Sequence, residues 1–61
     1  MNKKVKMSLV GIDGNAFALM GAFRKEARKQ GWEPDEISAV LEDAMSGDYD
    51  HLVSTLDSYC E

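Results

Sequence analysis

Lys3-Lys4-Val5-Lys6-Met7-Ser8-Leu9-Val10-Gly11-Ile12 is the stretch that decides the fold class, because the remainder of the chain has helical periodicity. Val5, Met7 and Leu9 alternate with Lys4, Lys6 and Ser8. That is the period-two pattern of a half-buried strand, so residues 3–12 are read as one, with an apolar and a basic face. Val10 and Ile12 fall on the opposite parity, so the strand twists or ends near Gly11. Gly11-Ile12-Asp13-Gly14-Asn15 then reads as a turn, with glycines for positive φ and Asp or Asn to cap a helix.

The first helix is predicted from about Ala16 to Gln30, stopped by Gly31. Ala16, Leu19, Met20, Phe23 and Ala27 gather on one side of a helical wheel, and Arg24, Lys25, Arg28 and Lys29 on the other. The second begins at Pro34, whose fixed φ suits the first helical position, with Trp32 and Ile37 as a hydrophobic staple. Glu33 is a mediocre cap residue there. Ile37, Val40, Leu41 and Ala44 form its apolar stripe, and Gly47 ends it. Asp48 caps a third helix reaching about Tyr59, with Tyr49, Leu52, Val53, Leu56 and Cys60 as its stripe. The expected fold is therefore α+β, a single domain over residues 1–61 in the order β-α-α-α. A lone strand exposes unpaired backbone groups, and a chain this short has a small core. Both point to a homodimer in which two copies of residues 3–10 pair antiparallel about a two-fold axis.

The 61 residues carry a net charge of −4, but the signs are segregated. All seven basic residues lie before position 32, opposed there only by Asp13 and Glu26, giving that half +5. Residues 32–61 hold nine acids and no Lys or Arg, giving −9. An apolar fraction of 44% excludes a disordered chain. No apolar run approaches the ~20 residues of a membrane span. Met1-Asn2-Lys3-Lys4 resembles the start of an export signal, but Lys6 and Asp13 interrupt its apolar region. With one cysteine, Cys60, no internal disulfide forms, and a cytoplasmic protein is expected.

Two stretches, Leu9-Val10-Gly11-Ile12-Asp13-Gly14-Asn15-Ala16-Phe17-Ala18-Leu19-Met20-Gly21 and Ser46-Gly47-Asp48-Tyr49-Asp50-His51-Leu52, resemble a set of short hypothetical proteins encoded by bacteriophages and prophage regions. The resemblance covers nearly the whole chain. It implies a small accessory cytoplasmic protein of phage or mobile-element origin, and no catalytic residues.

Candidate sites are few. The Gly11–Asn15 turn feeds a helix N-terminus, where free N–H groups can hold an anion, so Gly11, Asp13, Gly14 and Asn15 are candidates for a small anion or nucleotide at a dimer cleft. The turn lacks a P-loop lysine and the dinucleotide spacing, and Asp13 repels phosphate. Asp48, Asp50 and His51 offer metal-ligand or acid–base chemistry, but Asp48 and Asp50 point about 200° apart and Asp is what a helix start requires. Cys60 lies one residue from the end of the sequence, without a supporting histidine. No cofactor or metal is expected, and an enzyme is disfavoured. A helix-turn-helix reading of the last two helices puts acids where phosphates lie, and no aromatic interleaves the basic run, so nucleic acid is disfavoured too. What remains is a protein-binding surface made of Lys3, Lys4, Lys6, Arg24, Lys25, Arg28 and Lys29 together with Phe17. Phe17 sits about 100° off the apolar face of its helix, with Gly21 one turn on, and needs cover from the sheet, a second subunit or a partner. The sequence thus points to a non-enzymatic interaction protein, with a host protein as the expected partner.

Overall fold

The computed structural model describes residues 3–61, so Met1 and Asn2, where the likeness to an export signal starts, lie outside the described residues. Each helix begins where side-chain chemistry satisfies its first free N–H groups. α1 spans Ala16–Lys29 and is capped by Asn15, whose Oδ1 accepts the N–H of Phe17 at 2.8 Å. Its end is a Schellman turn. Gly31 adopts φ +92°, its N–H donates to Arg28 O at 3.1 Å, and that of Trp32 to Ala27 O at 3.0 Å. α2, Pro34–Ala44, starts with proline at its first position, and the Glu33 N–H donates to Glu36 Oε1 at 2.8 Å. α3, Tyr49–Ser58, is capped by Asp48, whose Oδ1 accepts the His51 N–H at 2.9 Å.

The core follows from the helical spacing. Leu19, Phe23 and Ala27 from α1 meet Ile37, Val40 and Ala44 from α2 and Leu52 and Leu56 from α3. Phe23, Trp32 and Tyr59 form an edge-to-face aromatic trio with centroids 5.7–6.5 Å apart. The Cα radius of gyration is 10.3 Å, against about 10.5 Å for a well-packed chain of this length.

The α+β expectation is corrected here: the described residues form three α-helices and no strand or sheet. Residues 3–9 form no regular element: they lie across their own helices, bend at Lys6, where the Met7 N–H donates to Val5 O at 3.0 Å, and make one isolated parallel bridge, Val5 to Cys60. The Val5 N–H donates to Tyr59 O at 2.7 Å and Val5 O accepts from the Glu61 N–H at 2.9 Å. One step on, the Gln30 side chain clamps Lys6: its Oε1 accepts the Lys6 N–H at 2.8 Å and its Nε2 donates to Lys6 O at 3.1 Å. These are the backbone groups a strand would offer to a neighbour, and the ends of α1 and α3 take them. The alternation of Val5, Met7 and Leu9 therefore records one side of an irregular segment resting on helices: Val5 is fully buried and Met7 and Leu9 are half-buried. No sheet exists among the described residues for a second copy of residues 3–10 to extend.

Candidate functional site

The seven basic residues separate into two groups. Lys3 places its Nζ 2.7 Å from Glu36 Oε1 and 5.5 Å from the centre of the Trp32 ring. The Lys3 hydrogen bond, helped by the Glu33 N–H on the same carboxylate, holds the Glu36 carboxyl below its ordinary range. Lys4 donates to Ser58 O at 2.7 Å, and an exposed Lys6 completes a depression shared with Gln30, Trp32 and Glu61. Two of these lysines thus tie the N-terminal segment down.

The second group lies on α1. Lys29 comes within 3.9 Å of Glu26, whereas Arg24, Lys25 and Arg28 have no ion pair among the described residues. Phe17 is 80% exposed on the same helix. A groove runs between α1 and the α2–α3 pair in three overlapping parts. At one end, about 300 Å³ is lined by Phe17, Met20, Met45, Asp48 and Tyr49. The middle, about 350 Å³, shares Phe17, Met20 and Met45 and adds Gly21, Arg24 and Leu41. The far end, about 250 Å³, keeps Arg24 and Leu41 and adds Arg28, Pro34 and Ser38. The lining therefore passes from a carboxylate through an apolar centre to two guanidinium groups. Leu41 and Tyr49, expected in buried stripes, form the groove wall instead, and Met45 joins them just past the end of α2. The stripe positions carried no hint of this, because a wall needs the angle between helices as well as the wheel of each.

The turn at Gly11–Asn15 is occupied by its own side chains. Asp13 Oδ1 accepts the Asn15 N–H at 3.1 Å and Asn15 caps α1, so two donors that an anion would use are taken. Gly11 supplies the positive φ, +87°. Across the turn, the Tyr49 hydroxyl donates to the Gly14 carbonyl and fixes the loop to the start of α3.

His51 closes the α2–α3 connection. Its Nε2 lies 2.8 Å from Asp43 O, 3.4 Å from Asp43 Oδ1 and 3.3 Å from the hydroxyls of Ser46 and Thr55. A carbonyl only accepts, so this nitrogen carries the proton and is no base toward Ser46, whose own hydroxyl donates to Asp43 O at 2.6 Å. The carboxylate and the hydroxyl share one ring nitrogen, whereas a nucleophilic triad places them on opposite nitrogens. Gly47 lets the ring in: a Cβ there would sit 2.9 Å from His51 Cβ and Cγ. Among the described residues no group of three or more His, Cys, Asp or Glu is arranged to hold a metal. Cys60 lies just past α3 rather than within it. Its thiol donates to Leu56 O at 3.3 Å, and burial, with the Asp57 carboxylate nearby, pushes its pKa up. That is the opposite of an activated nucleophile. Among the described residues no helix is long and apolar enough to cross a membrane.

No protein-family model matches the chain, and neither does any curated protein or solved structure.

Proposed function

We propose that this chain is a small non-enzymatic interaction protein that binds another protein through the α1–α2 groove. The observation that supports this is Phe17, 80% exposed beside Arg24 and Arg28, which have no carboxylate partner among the described residues. A large exposed aromatic rimmed by arginines is the composition of an interface centre. A partner that fits must offer apolar surface to cover Phe17 and carboxylates to meet the arginines. The likeness of the Leu9–Gly21 and Ser46–Leu52 stretches to short phage-encoded proteins supports an accessory, regulatory role toward a host protein in the cytoplasm. Capture from host lysate on immobilised protein tests this reading, comparing the native chain with Phe17→Asp and Arg24→Glu/Arg28→Glu. A host protein retained by the native chain and lost with both variants is expected. Equal recovery on all three would overturn it.

A further inference from the structure

We infer that the α1 face bordering this groove is covered by a second copy of this chain, packed on it about a two-fold axis that passes between Phe17 and Gly21. The inference rests on the reading of that groove as a protein-binding surface and names what covers it in the free protein, where a host protein would have to compete for it. Phe17 and Gly21 lie one turn apart on the outward face of α1. Phe17 is a knob in solvent, and at Gly21 an added Cβ would meet nothing within 4 Å, so it is an open notch. A two-fold axis midway between them sets two α1 helices antiparallel and places each Phe17 over the other copy's Gly21. An isologous interface requires such a self-complementary pair.

The charges obey the same operation. Arg24 lies five residues after the midpoint of Phe17 and Gly21, so an antiparallel partner presents near it the N-terminal end of its α1, which the turn holding Asp13 precedes. Tyr49 is bonded to that turn and Asp48 lines the adjoining end of the groove. The basic end of one copy thus meets the carboxylate end of the other, twice. Leu41, Met20 and Met45 supply apolar cover between the two charged contacts. The groove extends roughly 17 Å from Phe17 to Arg28 at 1.5 Å per residue.

Two measurements test this. Light scattering behind size exclusion, from about 10 µM to 1 mM, should give twice the 6.8 kDa chain mass at the upper end. Gly21→Leu, which fills the notch with a better helix former, should weaken the dimer at least tenfold while keeping the helical circular dichroism, as should Arg24→Glu/Arg28→Glu. A chain mass of 6.8 kDa throughout, or a dimer unmoved by Gly21→Leu, would overturn the inference. In producing cells, a photoreactive benzoylphenylalanine at position 17 separates the inference from the reading beneath it. An adduct of two chains supports the second copy and the interaction surface, and counts against a host protein held there. An adduct with another protein alone overturns the second copy and leaves the interaction surface standing. No adduct at all overturns both.

Discussion

Val5 is fully buried although it lies near the start of the chain, on a segment that belongs to no helix. Val5→Ala deletes two buried methyl groups, about 1.6 kcal/mol of transfer energy at ~0.8 kcal/mol each. The cavity left in the core adds to this, so the expected loss is roughly 2 kcal/mol. A domain of 61 residues carries only about 3–9 kcal/mol in all, so the loss is a large part of the whole. The melting temperature should fall by about 8–16 °C at ~4–8 °C per kcal/mol. Urea unfolding followed by circular dichroism gives the free energy directly, with Val10→Ala as the control. Val10 is 90% exposed, and its change should stay within about 0.5 kcal/mol. Because Val5 is held by its own chain, the loss should not depend on protein concentration. A Val5→Ala effect as small as that of Val10→Ala, or one present only at high concentration, would refute the docking of this segment on its own helices.

Gly47→Ala should cost about 1–3 kcal/mol in the same assay, because the new Cβ meets His51 at its own Cβ, which moves only with α3; unchanged stability would show that the connection has slack. Tyr49→Phe removes the bond to Gly14 O, and should lower stability by about 0.5–1.5 kcal/mol and speed amide exchange from Asp13 to Asn15; unaltered exchange would mean the tether holds nothing. Glu36 is protonated at lower pH when folded than when unfolded, so its contribution is complete above the ordinary carboxylate range and is lost as pH falls through that range to the depressed value. Glu36→Gln should flatten stability across that acid window; a pH profile parallel to the native one would remove Lys3 as the cause.

The three helices were legible because their signals are local. Asn15, Asp48, Pro34 and Gly31 act within a few residues, and the stripes at Leu19, Phe23, Ile37, Val40, Leu52 and Leu56 are the core positions observed. The first segment misleads because period two belongs to any extended chain with one side buried, whether its neighbour is a strand or a helix end. What tells them apart is where the hydrogen bonds go. Here they run from Val5 to Tyr59 and Glu61, and from Lys6 to Gln30, separations that no local pattern encodes. The same segment divides the basic residues: Lys3 pairs with Glu36 and Lys4 donates to Ser58 O beside the N-terminal segment, while Arg24, Lys25, Arg28 and Lys29 lie on α1. Phe17 was visible as an outlier on its wheel. The wall opposite it, Leu41, Met45 and Tyr49, was not, since it depends on how α2 and α3 are set against α1.

Backbone amide spectra recorded on serial dilution of the native protein test the central claim most directly, because they report which face meets another molecule. Shifts should move together with one concentration dependence at Phe17, Met20, Gly21, Arg24, Leu41 and Met45, while Lys4, Val5, Lys6 and Met7 stay fixed. Movement confined to residues 4–7, or no movement anywhere up to millimolar concentration, would contradict the account.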